Sequence, residues 1–438
     1  MKTYFIKTFG CQMNENDSIQ AGILLEKEFG LKKVDSFEEA DIIIINTCSV
    51  REKPEHKVFS EAGRIGKLKR KKPDLIFGIM GCVAQQIGEK FLEKLPYVDF
   101  VIGTHNIDKI PEIIKSIYEK KIKVSELTFY NEIKSINIFT RPYDNFNLKA
   151  YITIMQGCNN FCSYCIVPFV RGREYSRKSE DILNEIKKLA EKGVKEVTLL
   201  GQNVNSYGKT RKGEISFVEL LYKISEIDGI ERIRFTTSHP KDFDDNLINA
   251  FYEIEKLCNH LHLPLQSGST KILKLMNRKY TKEEYLEKVE KLKNKVPDIA
   301  ISTDIIVGFP YEEDDDFHQT LEVVEKVKYI TSFSFKYSPR PFTKYEKIDN
   351  ISKEVKLERL KILQNLQKKI TLEYNKSSVG KVFNVLVEGF SKKKQLTGRL
   401  YDNRIVNFEG DNNLIGKFVN VKIKKAYQNS LIGEVIDE

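Results

Sequence analysis

KAYITIMQGCNNFCSYC, residues 149–165, runs an apolar strand into a loop that holds three cysteines, Cys158, Cys162 and Cys165. The same strand-then-helix unit recurs six times between residues 149 and 345. Its strands read KAYITIMQG, KEVTLLGQN, RIRFTTSHP, HLHLPLQSG, IAISTDIIVGFP and TSFSFKYSPR. Helices such as EDILNEIKKLAEKG, ISFVELLYKISEI and KEEYLEKVEKLKNK fall between them. Six such units predict an open (β/α)6 partial barrel, a cut-down form of the eight-stranded barrel. In that architecture chemistry gathers at the C-terminal ends of the strands. The cysteine loop follows the first strand at that rim.

The loop has a three-residue and then a two-residue spacing between its cysteines. Structural zinc sites, the competing reading, usually show paired C-x2-C halves with a closing partner. No fourth cysteine or nearby histidine closes this loop. A four-iron cluster held by three thiolates leaves one iron open, and an open position is where a substrate or cofactor coordinates.

Outward from the loop, residues 1–125 also alternate strand and helix, with TYFIKTFG, DIIIINTC, DLIFGIMGC and YVDFVIG as strands. A helix NDSIQAGILLEKEF is expected to open at Asn16, Asp17 or Ser18, and PEHKVFSEAGRIGKL starts near Pro54. Continuous apolar strands between helices point to a parallel sheet covered on both faces. Cys11, Cys48 and Cys82 each fall just past one of the first three strands. Parallel strands end on one edge, and open α/β sheets bind ligands there. The three thiols are therefore expected to converge. Residues 126–143 read as a linker and 144–374 as the barrel domain with its exit helix. Residues 375–438 read as a small β-barrel of oligonucleotide-binding type, with five short strands and glycine or asparagine turns.

The 438-residue chain, 41% hydrophobic, is too long for one core and suits two or three domains. Its net charge of +10 and the run RIGKLKRKK, residues 64–72, suit a polyanionic partner or a solvated helix face. No apolar run approaches a membrane span and no signal peptide is apparent, so a cytoplasmic, membrane-free setting is expected. Seven cysteines are too few for a disulfide scaffold at this length, and clustered thiols in a reducing compartment point to metal or catalysis.

GCNNFCSYC resembles the C-x3-C-x2-C loop of the radical S-adenosylmethionine (SAM) superfamily, with Tyr164 as the aromatic before the last cysteine. TFGCQMNENDS, NTCSVREKPEHK and GCVAQQ resemble the N-terminal domain of methylthiotransferases within it, and the C-terminal segment looks like their TRAM domain. The resemblance implies two [4Fe-4S] clusters, one on Cys158, Cys162 and Cys165 and one on Cys11, Cys48 and Cys82. The open iron of the first would chelate SAM and release a 5′-deoxyadenosyl radical; that of the second would carry the sulfur to be inserted. One SAM would methylate that sulfur and a second would activate carbon 2 of an adenine. The wording around the cysteines is nearest the branch acting on N6-dimethylallyladenosine in tRNA. Other branches act on threonylcarbamoyl-adenosine in tRNA or on an aspartate of a ribosomal protein. An external electron donor such as flavodoxin or ferredoxin is implied as a partner. A non-catalytic iron–sulfur RNA-binding protein is the reading from a different class, and the three-thiol loops argue against it.

Further candidates follow from position. Gly201, Gln202 and Asn203 sit after the second barrel strand, where the resemblance places the SAM amino group; helix capping is the plainer alternative. Gln266 and Ser267 after the fourth strand are candidates for the ribose, and Gly308 after the fifth for the cofactor adenine. Arg171 and Arg173 in RGREYSR are candidates for an RNA backbone, since arginine matches phosphate with a two-pronged fork. Lys392, Lys393 and Lys394 add charge to the small barrel near Tyr401, Phe408 and Tyr427. His262 reads as core, His239 has no nameable partner, and Cys258 reads as a small buried hydrophobe.

Overall fold

A computed structural model describes residues 1–49, 52–130 and 132–436, without the side chains of 52–56, 135 and 136. Residues 50 and 51 of the stretch NTCSVREKPEHK lie outside the described residues. The N-terminal strands are β1 (Thr3–Thr8), β2 (Lys32–Lys33), β3 (Ile42–Thr47), β4 (Ile76–Gly81), β5 (Phe100–Ile102) and β6 (Val124–Glu126). They form one parallel sheet in the order β2-β1-β3-β4-β5-β6. The run of four isoleucines in β3 shows why its pattern is continuous. Ile42 and Ile44 pack with Leu25 and Ile114 on one face, Ile43 and Ile45 with Val58 and Phe91 on the other. The two edge strands β2 and β6 are two and three residues long and carry no apolar run, so the sequence pattern missed them.

The first helix spans Gln12–Phe29 and starts four residues before the expected Asn16. Asn14, Asn16 and Asp17 are buried inside it, not at its cap. Their polarity serves neighbours across the chain. Asn16 donates to Thr153 Oγ1 at 2.8 Å and accepts from Thr140 Oγ1 at 2.7 Å. The segment expected as a linker is likewise packed: Arg141 bonds Glu26 at 2.6 Å, and Gln20 bonds the Ile138 carbonyl.

The barrel strands are β7 (Lys149–Thr153), β10 (Glu196–Leu200), β11 (Arg232–Phe235), β12 (His260–His262), β13 (Ala300–Val307) and β14 (Thr331–Lys336). A short antiparallel pair, β8 (Met155–Gln156) and β9 (Tyr175–Ser176), brackets the cysteine loop. The six barrel strands are parallel in two sets of three, and an isolated bridge links Ile233 of β11 to Leu257, three residues before β12. This is the expected open barrel, with a single apolar core between strands and outer helices.

The helix Lys353–Lys376 leads to β15 (Val382–Phe390), β16 (Leu396–Arg399), β17 (Ile405–Phe408), β18 (Phe418–Ala426) and β19 (Leu431–Val435). They close a barrel in the order β15-β16-β17-β19-β18. The small barrel caps the N-terminal ends of β7, β10 and β11. Arg232 donates to the carbonyls of Arg399 and Asn384, and Arg234 to those of Tyr401 and Leu400. Lys149 bonds Glu388 at 2.7 Å beside them. The cysteine loop thus lies at the opposite end of the strands.

Candidate iron–sulfur and cofactor site

The N-terminal thiols stand where the strands end: Cys11 three residues past β1, Cys48 directly past β3 and Cys82 directly past β4. The ends are tied together by side chains. Asn14 donates to Asn46 Oδ1 and to the Thr47 carbonyl, both at 2.9 Å, and accepts from Cys11 Sγ at 3.2 Å. Thr47 Oγ1 donates to the Met80 carbonyl at 2.7 Å. Gly10 has a φ of +142°, and a Cβ there would lie 2.5 Å from Cys48 Cβ, so the first two loops touch. A hydrogen bond with Cys48 holds the Cys11 thiol down to about 6, with the Arg171 charge assisting. Burial pushes Cys82 up, against the nearby Arg171 charge.

The barrel loop is held from outside itself. Gly157, φ +82°, would clash with the Arg173 carbonyl if it carried a Cβ, and its N–H donates to Gln202 Oε1 at 2.6 Å. The Cys158 N–H donates to the Gly172 carbonyl and Ser163 N–H to that of Met276. Asn277 donates to the Phe161 carbonyl at 2.9 Å. Arg278, 4% exposed, donates from Nη1 to Cys162 Sγ at 3.3 Å and from Nη2 to the Pro264 carbonyl at 3.0 Å. Burial pushes the Cys158 thiol to about 11 and Cys165 to about 12, each opposed by a backbone N–H. Nothing in the sequence around Arg278 marked it, because it reaches the loop across more than a hundred residues.

The N-terminal thiols meet the segment after the barrel loop at the domain interface. Cys82 packs against Ile166 and Val170, and Ile166 directly follows Cys165. Thr104 donates to the Val170 carbonyl at 2.6 Å, and a His105 ring nitrogen meets the Arg171 carbonyl at 2.9 Å. Arg171 itself is 2% exposed, donates to Asp17 Oδ2 at 2.6 Å and keeps Nη1 without a partner. The expectation that Arg171 steers an RNA backbone is therefore corrected: it is a buried cation beside Cys11 and Cys82. Arg177 of the same motif is also buried, paired with Glu185. Arg173 is exposed, its guanidinium 4.3 Å from the Phe161 ring centre.

Among the described residues, no three His, Cys, Asp or Glu close around a single metal ion. A cubane is wider than an ion, and all-thiol trios with N–H donors on their sulfurs suit an iron–sulfur cluster. Other candidates have mixed fates. Gln202 anchors the loop, as above. Asn203 is buried, donates to Asp242 and leaves Oδ1 without a partner. His239, at the end of β11, accepts the Lys241 N–H at Nδ1, and burial holds it neutral. Its Nε2 must then carry the proton, and that buried donor has no partner. Two open polar groups at this rim fit a polar cofactor. Tyr164 packs edge-on to Phe309 at 6.3 Å. Gln266, φ +72°, pairs by its backbone with Asp304 and Ile306, and Ser267 accepts the Ser269 N–H. Gly201 and Gly308 have packing reasons to be glycine: a Cβ would lie 2.4 Å from Met155 Cγ or 2.3 Å from Lys356 Cγ. Lys392, Lys393 and Lys394 are exposed in the β15–β16 turn, Phe408 is core, and Tyr401 lies under Arg232. Cys258 is buried, as expected, and His262 sits half-buried on Ser302 and Asp304.

Comparison with known proteins follows this geometry. Residues 152–324 match the Radical SAM superfamily, residues 3–103 the Uncharacterized protein family UPF0004, and residues 376–436 the TRAM domain. A solved relative in fold is the radical S-adenosylmethionine methyltransferase TsrM from Kitasatospora setae. It has a TM-score of 0.60 and 11% identity over 88% of this chain and 78% of that one. The tRNA-2-methylthio-N(6)-dimethylallyladenosine synthase of Geobacter sulfurreducens (strain ATCC 51573 / DSM 12127 / PCA) is 49% identical over all of this chain and 98% of its own. That of Syntrophus aciditrophicus (strain SB) is 53% identical over all of this chain and 95% of its own. At that identity over its full length, this chain belongs to the tRNA-2-methylthio-N(6)-dimethylallyladenosine synthase family.

Proposed function

We propose that the chain inserts a methylthio group at carbon 2 of N6-dimethylallyladenosine in tRNA. Cys158, Cys162 and Cys165 would hold a SAM-binding [4Fe-4S] cluster, and Cys11, Cys48 and Cys82 a second one. The observation that supports this reading is the contact of Cys82 with Ile166 and Val170, in the segment that directly follows Cys165. When bound, a reduced cluster of this type supplies the single electron that cleaves the SAM sulfonium. The protein's own part is orientation and exclusion. Gln202 and Asn277 fix the loop backbone, Arg278 places a donor on Cys162, and Asn203 and His239 offer an acceptor and a donor to the cofactor. The first helix seals the interface through Asn16 and Asp17, which keeps water from a radical.

An external one-electron donor and a cytoplasmic setting belong to this reading. Among the described residues, no helix is long and apolar enough to cross a membrane. Cys82→Ala is expected to leave SAM cleavage to 5′-deoxyadenosine intact and to abolish formation of the thiomethylated nucleoside in reconstituted protein. Mass analysis of the digested tRNA checks it; normal product from the variant would remove Cys82 from the proposed role.

A further inference from the structure

A cavity of about 210 Å³ opens on the outer side of the barrel loop, lined by Phe161, Cys162, Phe169, Asn277, Phe342 and Lys344 among others. That is below the roughly 300–1,000 Å³ of a site for a drug-sized ligand and suits one planar group. Its rim is aromatic and exposed: Phe169 is 39% and Phe342 55% accessible, their ring centres 5.9 Å apart. The two rings pack on each other at a 36° tilt and still leave much of their apolar surface open to water at the edge of the hollow. The charge around them has one sign. Lys274 and Lys344 line the cavity, and Arg173 lies over Phe161. Neither lysine is ion-paired among the described residues.

The backbone points the same way. Phe161 has a φ of +48° and Phe342 of +67°. Bulky residues seldom adopt this left-handed conformation, which costs of order 1–3 kcal/mol and persists where surrounding bonds enforce it. Here they do: Asn277 grips the Phe161 carbonyl at 2.9 Å, and Glu346 accepts the Phe342 N–H at 3.0 Å. The fold holds two strained phenylalanines at one hollow, where glycine would be easier to accommodate.

We propose that this hollow receives an unstacked nucleotide of the substrate RNA loop, its base against Phe342 and Phe169 and its flanking phosphates on Lys274, Lys344 and Arg173. Proteins read single-stranded RNA by splaying bases onto aromatic rings, with cations tracking the backbone. The seat rests on the proposed action on tRNA and adds to it an RNA contact beside the cysteine loop, apart from the small barrel. A small one-electron carrier is the other class of partner for a basic face here; the concave, base-sized hollow favours RNA.

The experiment measures equilibrium binding of a fluorescent tRNA bearing N6-dimethylallyladenosine to the full-length chain over a range of salt. Phe342→Ala is expected to weaken binding about 5- to 150-fold, the effect of losing one base–aromatic stack. Lys344→Ala should make the log–log salt dependence shallower by about 0.7. Phe342→Gly relieves the left-handed strain, so it should raise Tm while losing the same affinity, which a ring serving only structure would not do. Unchanged affinity in both Phe342 variants overturns the seat; if those variants instead slow cluster reduction by flavodoxin but not by dithionite, the face belongs to the electron carrier. Failure of the parent chain to bind the tRNA at all would overturn the tRNA reading and the seat together, a result separable from neutrality of the variants.

Discussion

The two ends of the central barrel treat buried arginine in different ways. At the N-terminal rim, Arg232 and Arg234 each give both terminal nitrogens to backbone carbonyls of the small barrel, and Arg234 also faces Glu196 at 3.0 Å. At the C-terminal rim, Arg278 gives one nitrogen to the Cys162 thiol and Arg171 lies beside Cys11 and Cys82; Arg171 Nη1 and, at the other rim, Arg232 Nε both lack an acceptor, so what differs is the sulfur neighbour. A guanidinium satisfied by carbonyls that are always present is an interface component. A guanidinium set against sulfur belongs to the proposed cluster site. Burial and residue type are the same at both rims; the acceptor separates the roles.

The comparison is tested first where the expected effect is largest. Arg234→Ala removes the partner of buried Glu196 and strands two carbonyls of the small barrel. Breaking one side of a buried pair typically costs about 3–5 kcal/mol, and urea denaturation should show a loss of that size. Iron content of the folded fraction should stay at the parent value. Loss of iron without loss of stability would erase the distinction between the rims.

Arg278→Gln sharpens it from the other side. The variant removes the Arg278 bond to the Pro264 carbonyl, which keeps the Tyr280 hydroxyl at 3.2 Å as a donor, so the stability cost is about 1 kcal/mol. It also removes an N–H from the sulfur of Cys162, a proposed ligand, and such bonds favour the more negative, reduced cluster. The midpoint potential of the loaded protein, followed by spectroscopic redox titration, is expected to move to more negative values. A potential that does not move would make Arg278 another interface arginine.

The layers of this protein were legible in its sequence to different depths. The β/α repeat, the parallel N-terminal sheet and the closed five-stranded barrel follow from apolar runs and turn residues, which report burial directly. The convergence of strand-end cysteines follows from strand direction alone. Asn16 and Asp17 misled because they look like a helix cap, yet their partners Thr153 and Arg171 lie in another domain. Arg171 misled for the same reason: an arginine after a loop signals phosphate only if the chain leaves it at the surface. Gly308 shows the limit for glycine, since the residue that fills its missing side chain, Lys356, comes from a helix almost fifty positions on. Periodicity carries local structure, whereas polar roles are assigned by whichever distant segment packs against the residue.

The smallest expected effect, counted per pH unit, returns to the N-terminal side of the barrel. His260 begins β12, its Nε2 3.1 Å from Ser302 Oγ. His260 is half-buried at the edge of a cavity, and loss of water around the ring pushes its pKa down to about 3, with the charges of Arg234, His262 and Arg399 acting in the same direction. An unfolded histidine titrates near 6.5. Between those values the unfolded chain binds a proton that the native chain refuses, so stability rises with pH across the window. It should therefore fall as pH drops from about 6.5 toward 3, with a contribution from this group of at most ~1.4 kcal/mol per pH unit. Burial also lowers His239 at the opposite rim and His105 in the N-terminal domain, so the parent slope contains three rings and one substitution removes one share. His260→Asn should flatten the pH dependence of the urea midpoint by one proton and leave the Cys162 loop unchanged. A slope identical to the parent's would mean that the ring opens to water at this rim, and that the small barrel seats less tightly than its arginine bonds require.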